Sequence, residues 1–319
     1  MTSKALLLAT LSGACLLAAQ SSLAYDWETS LSIEDKENAS DPSYNLSAKR
    51  YFAPLDSATN APLAEIPFID RLAELELDFS YQKDSRTLQL SPFRINTSTS
   101  IEIENKWKSF GIGYRHANAS SPHSFSAAFN YVDIEVQLPQ FSWWRRFGTG
   151  EYELVDYNLI TDERAVYSYG IGYEYYLSDS WTVGTALSLN ESSFSDTYTA
   201  SIGSKRLWDL GNDRWLSASA SINYIGSKNP YSDDETFAAD LAMSYYFSKR
   251  SSVSIGASFH EGNQPETYTL SGKHFFNDQL YLELGLEQTE YGYSSSMLPD
   301  GSVLDPDETA VQATLGFRF

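Results

Sequence analysis

From Thr309 to its end the chain alternates without a break. Val311, Ala313, Leu315, Phe317 and Phe319 fall on one face of an extended strand, and Gln312, Thr314, Gly316 and Arg318 fall on the other. A repeat of two with one face wholly apolar describes a sheet that meets an apolar medium on one side and water on the other. The same pattern recurs along the chain. Leu280, Leu282, Leu284 and Leu286 oppose Tyr281, Glu283, Gly285 and Glu287, and Val253, Ile255, Ala257 and Phe259 oppose serines and Gly256. Tyr167 to Tyr175 and Leu75 to Tyr81 repeat it, with Gly170, Gly172 and Glu174 or Glu74, Glu76 and Asp78 on the second face.

Composition says which apolar medium. Aromatic residues make up 14% of the chain, yet a formal charge of −20 and abundant serine accompany them. A lipid-spanning closed sheet explains that mixture, with aromatic girdles, a thin apolar band and a polar interior. No stretch after residue 24 reaches about eighteen consecutive apolar residues, which excludes spanning helices. A sheet in lipid has to close on itself, because every backbone group there needs an internal partner. The acidic balance also argues against nucleic acid as a partner. The first residues form a separate unit: Lys4, the apolar run Ala5 to Ala19, and the small-x-small site Ser22-Leu23-Ala24. They read as a secretory signal peptide over 1–24, leaving 25–319 as one domain that begins at Tyr25 and has no cysteine.

The connections alternate in length. Asn277-Asp278, Lys249-Arg250, Ser178-Asp179 and Gly211-Asn212-Asp213 are short, with longer polar loops between them. The expectation is an all-β, antiparallel transmembrane barrel of about sixteen strands, with fourteen as the alternative. The segment from Ser85 to Lys106 decides between the two counts. Two segments break the rhythm. Glu135 to Arg164 carries Phe141-Ser-Trp-Trp-Arg-Arg-Phe147 and reads as a long loop. It either folds into the mouth, making Trp143, Trp144, Arg145 and Arg146 a positive constriction, or rests its tryptophans on the membrane surface. The other, Ala53 to Arg71, lies on the side of the short turns.

The ending resembles the last strand of Gram-negative outer-membrane β-barrels. In that family the final aromatic residue is an export and assembly signal. The resemblance implies that Phe317 and Phe319 are read by the barrel-assembly machinery, and that the protein resides in the outer membrane among lipid and lipopolysaccharide. Tyr51-Phe52 followed by Pro62-Leu-Ala-Glu-Ile-Pro-Phe68 is similar to a segment of porins from marine gammaproteobacteria. That likeness implies a pore-forming barrel, with a homotrimer among the assemblies open to it, and names no substrate.

Fixing the apolar face toward lipid places Glu74, Glu76, Asp78, Glu102, Glu104, Glu174, Asp240, Glu283 and Glu287 inside, opposed by Arg115, Lys205, Lys273 and Arg318. Charges in a dry interior would be costly, so this set calls for water or ionic partners. A barrel of this width leaves an aqueous passage. The implied function is passive diffusion of small hydrophilic solutes and ions, with a weak cation preference and no cofactor, metal or catalytic residue. Two alternatives stay open: a structural or adhesive barrel with a plugged lumen, and a barrel hydrolase using a histidine such as His260. No phosphate loop, paired-cysteine box or His-Glu-x-x-His run is present. The acidic runs Asp233-Asp-Glu235 and Asp300 to Glu308 lack the spacing of a dedicated calcium loop.

Overall fold

Wherever apolar and small polar residues alternate, the chain forms long antiparallel strands. The computed structural model describes residues 24–37, 39, 41–56, 60–90, 99–145, 152–193, 195–228, 233–262, 265–290 and 308–319. The strands are β1 (Ala24–Lys36), β2 (Ser43–Asp56), β3 (Glu74–Leu90), β4 (Thr99–His116), β5 (His123–Arg145), β6 (Tyr152–Ser178) and β7 (Trp181–Ser192). They continue as β8 (Asp196–Gly211), β9 (Arg214–Lys228), β10 (Asp233–Ser248), β11 (Ser251–His260), β12 (Glu266–Phe275), β13 (Leu280–Glu290) and β14 (Glu308–Arg318). Each pairs with its sequence neighbours, and β1 pairs with β14 from Glu28↔Arg318 to Lys36↔Ala310, closing a barrel of fourteen strands.

The count is fourteen rather than sixteen because two expected breaks are not breaks. β3 and β4 pass through the polar run near Ser85 and Lys106 in unbroken register, with Lys83↔Lys106, Asp84↔Asn105 and Ser85↔Glu104 opposite one another. Polar residues there continue a wall instead of turning it. The expected long loop from Glu135 to Arg164 is likewise strand over most of its length. β5 and β6 stay paired out to Arg145↔Tyr152, with one register shift at Ser142/Trp143. β4 follows β5 only as far as Val136, and β7 joins β6 only at Val166, so the intervening pair is a two-stranded ribbon that projects beyond its neighbours.

One face of the wall is apolar and bare. Ile171, Ile202, Leu284 and Val311 expose 55% or more of their surface, which fits an outward, lipid-facing position and excludes a packed core. Aromatic pairs line that face, including Phe125 with Tyr173, Phe129 with Tyr169 and Tyr131 with Tyr167. Two of the buried clusters lie at the end of the barrel that carries the short turns and the last strand's terminus. One joins Tyr51, Leu55, Leu63, Ile66, Leu72, Phe275 and Tyr281; the other joins Phe68, Tyr176, Leu207, Trp215 and Tyr246.

Candidate functional site: the barrel lumen

Both clusters form around the connection between β2 and β3. After the extended Pro62, residues Leu63–Glu65 make a 3₁₀ turn and Ile66–Ile69 a single α-turn, which we call α1. Pro67 sits in the first turn of α1, where its missing N–H removes no helical bond. Arg71, at φ 50°, turns the chain back toward β3. Four residues cannot hold a helix alone, so packing must hold this one. Leu63, Ile66 and Phe68 are buried against side chains from strands all around the interior: Tyr51 of β2, Tyr176 of β6, Leu207 of β8, Trp215 of β9, Tyr246 of β10, Phe275 of β12 and Tyr281 of β13. The segment therefore lies across the lumen as a plug.

Polar contacts fasten it at three sides. Glu65 is 5% exposed; Lys205 Nζ lies 2.7 Å from one carboxylate oxygen and the Tyr246 hydroxyl donates to the other at 2.7 Å. Arg318 donates to the Leu63 carbonyl at 3.0 Å and to Glu28 at 2.7 Å, while Tyr281 also donates to Glu28 at 3.0 Å. Arg71 donates to Asp179 at 2.7 Å and to the Ser121 carbonyl at 3.2 Å. The backbone N–H of Leu63 donates to the Lys249 carbonyl in the β10–β11 turn.

The wall facing this plug is charged and narrowly paired. Lys49 lies 3.2 Å from Glu76 and 3.9 Å from Glu74; Arg115 lies 3.2 Å from Glu174; Lys273 lies 2.9 Å from Glu283. Asp240 has no ion-pair partner within 4.0 Å among the described residues and accepts from Ser221 at 3.0 Å, Asn223 at 2.5 Å and Ser258 at 2.5 Å. Arg115, Glu174, Lys205 and Asp240 border a recess of about 370 Å³ whose floor is glycine and serine from β6 to β9. The floor is flat for a steric reason: a Cβ on Gly184 would meet the Tyr173 carbonyl oxygen at 2.8 Å.

The structure places Glu74, Glu76, Asp78, Arg115, Glu174, Lys205, Asp240, Lys273, Glu283, Glu287 and Arg318 on the inner face, sharing ion pairs, hydrogen bonds or the recesses just described. Asp78 joins them by register, opposite Ser47 and Gly111. Glu102 and Glu104 require correction. They alternate in phase with Phe110 and Ile112, which are outward and 45% and 39% exposed, so both carboxylates point outside. Ile101, next to Glu102 and on the opposite face of the strand, is 1% exposed. The inversion has a physical cause: β3, β4 and β5 extend past the apolar band, so water lies outside them there. On that outer face Glu104 lies 2.5 Å from Lys83 and 2.6 Å from Lys106, and Lys108 lies 2.6 Å from Glu135.

Trp143, Trp144 and Arg145 are the last three residues of β5, opposite Leu154, Glu153 and Tyr152. Arg146 and the side chains of the other three lie outside the described residues, as do residues 1–23 of the signal peptide expected over 1–24. Phe319 closes the barrel with its backbone: its N–H donates to the Trp27 carbonyl at 2.9 Å, and its carbonyl accepts from Trp27 at 3.0 Å. Its ring stacks on Phe317 at 6.0 Å. Sequence reasoning missed Glu28, Lys49 and Glu65. The signal for Glu65 was present, since a carboxylate among Leu63, Ile66 and Phe68 needs a buried partner. His260 ends β11, and no serine hydrogen-bonds to it among the described residues. Ser251 and His274 do share a hydrogen bond at 2.8 Å, with no carboxylate bonded to that ring among the described residues.

Residues 195–297 match the family model described as "Putative general bacterial porin". That span is less than half of the chain. No curated protein matches the sequence. Among solved structures, the Acinetobacter baumannii outer membrane protein Omp33 is similar with a TM-score of 0.53 and 14% identity, covering 94% of this chain and 100% of that one. The P. putida toluene transporter TodX gives 0.53 and 11%, covering 96% and 92%. The Ralstonia pickettii toluene transporter TbuX gives 0.51 and 9%, covering 93% and 90%. At these identities the likeness is one of fold.

Proposed function

We propose that this chain is an outer-membrane channel for small hydrophilic solutes, cleaved before Tyr25, with the Phe319 end periplasmic and the Pro62–Arg71 segment closing that end. The observation that carries the reading is the pairing of a bare apolar exterior with a charged, recessed interior in a closed barrel. The porin family model over residues 195–297 supports it. Passage is diffusive, and no side chain is asked to do covalent chemistry.

A weak cation preference follows from which charges are left over. Lys49, Arg115, Lys205, Lys273 and Arg318 are each held by a carboxylate. Asp78, Asp240 and Glu287 have no basic partner within 4.0 Å among the described residues, so the residual field inside is negative. Such a field concentrates cations and is screened over roughly 10 Å at 0.1 M salt. The test is reconstitution in a planar bilayer under a KCl gradient. Discrete conductance steps with a cation-selective reversal potential that shrinks toward 1 M salt are expected. Insertion without any conductance, in wild type and in a variant whose plug is released, would favour the second reading. That reading is a structural barrel, and the plug is the observation in its favour.

A further inference from the structure

Arg206 faces outward at the end of the barrel that the proposed function makes periplasmic. It alternates with the inward Lys205 and Leu207 and stands opposite Trp181, the first residue of β7 after its short turn. Its guanidinium carbon lies 4.9 Å from the Trp181 ring centroid and 5.2 Å from that of Trp208. The Trp181 indole N–H donates to Ser204 Oγ at 2.9 Å, which fixes the ring. No carboxylate pairs with Arg206 among the described residues, although the chain carries a net charge of −20. An unpaired guanidinium within cation–π distance of two indoles keeps N–H donors free for an oxyanion.

A groove begins beside it. Ala218 lies between Arg206 of β8 and Met243 of β10, and Ala220 lies between Ser204 and Leu241. Two small residues in succession on the lipid face, flanked by larger ones, leave a trough along β9. It holds about 820 Å³ and is walled by Trp181 and Trp208 on one side and Leu241, Met243, Ile255 and Phe259 on the other. A slot for an acyl chain therefore runs into a cation at the membrane–water boundary, where interfacial tryptophans sit.

We propose that this groove is a binding site for one anionic diacyl phospholipid of the periplasmic leaflet, with its phosphate on Arg206 and one acyl chain over Ala218 and Ala220. The inference rests on the membrane reading and on the periplasmic placement of the turn end. Charge complementarity selects the anionic headgroup, and the position at the turn end selects this leaflet over the lipopolysaccharide face. Arg50 supplies an internal comparison. It lies 5.5 Å from the Trp27 ring and 5.6 Å from Phe52, on a part of the wall where the groove residues are absent.

The full mature barrel in detergent, titrated with phosphatidylglycerol, phosphatidylcholine or lipid A and read by native mass spectrometry, tests this. One phosphatidylglycerol should be retained roughly tenfold more than phosphatidylcholine, as expected for a charge-assisted hydrogen bond in a partly desolvated site. R206Q should abolish that preference, and A218L with A220L should reduce retention of both lipids, while R50Q leaves the preference unchanged. Heat-modifiable migration on gels shows that each variant is folded. Equal retention of the two phospholipids by wild type, loss of preference in R50Q but not in R206Q, or stronger retention of lipid A overturns the assignment. Failure of wild type to insert into bilayers would sink the membrane reading, and with it this site.

Discussion

Lys205→Met should open the channel, because it leaves the Glu65 carboxylate buried with one neutral partner. In the closed arrangement that carboxylate has Lys205 at 2.7 Å and the Tyr246 hydroxyl at 2.7 Å. Removing one member of a buried pair costs about 3–5 kcal/mol. The Lys205 side chain is 37% exposed, so solvent already weakens the pair and the lower figure applies. A loss of about 3 kcal/mol shifts an equilibrium roughly a hundredfold, so a plug closed about 99% of the time would be closed about half the time. Single-channel recording in a planar bilayer reads this directly as a rise in open probability at unchanged insertion. Glu65→Leu combined with Lys205→Met removes the stranded charge and adds apolar contact beside Phe68, and should return the channel to its closed level. The reasoning fails if Lys205→Met inserts, migrates as a folded barrel and conducts like wild type. It also fails if the double variant is as open as the single one, since the effect would then not come from the unpaired carboxylate.

Three further outcomes are expected. Leu284→Arg puts a charge on the lipid face near the middle of β13 and should destabilise the barrel in vesicles by about 2–4 kcal/mol. Glu283→Gln, whose partner Lys273 faces the lumen, should cost far less; urea unfolding followed by tryptophan fluorescence compares them, and the reverse order would mean the inner and outer faces are swapped. On the extended part of β4 the rule reverses: Ile101→Asp should be the damaging change and Glu104→Gln nearly neutral, because the isoleucine is 1% exposed and the glutamate belongs to a surface ion-pair ladder. Deleting Phe319 removes two backbone bonds to Trp27 and one to Asp26 at the seam, and should lower the yield of heat-modifiable barrel in outer-membrane fractions.

Alternation carried most of the fold because it is a local signal. Each strand reports its own two faces, and β7 to β14 lie close to where apolar residues alternate with small polar ones. Strand count was less legible because a polar cluster such as Lys83-Asp84-Ser85 is ambiguous. It either turns a chain or continues a wall that has risen out of lipid, and only the pairing Asp84↔Asn105 distinguishes these. The ribbon of β5 and β6 hid for the same reason. Beyond Val136 it has no third strand beside it, so nothing enforces a sustained apolar stripe, and its sequence reads as loop.

The lumen was legible only as far as its solvent was constant. Inside the lipid band the apolar face must point outward, and the placement of Glu74, Glu174, Asp240 and Glu283 follows from their neighbours in sequence. Above the band the outside is water, so the same alternation carries the opposite meaning. Ile101 then turns in and Glu102 and Glu104 turn out. The plug was invisible for a different reason. Leu63, Ile66 and Phe68 are spaced for one helical turn that has no stability of its own, and their partners are spread from Tyr51 to Tyr281. A local pattern cannot report contacts that exist only once the barrel has closed. The buried glutamate was the one mark it left, because an acidic side chain flanked by apolar residues in a turn requires a cation from elsewhere, and Lys205 supplies it from the far wall.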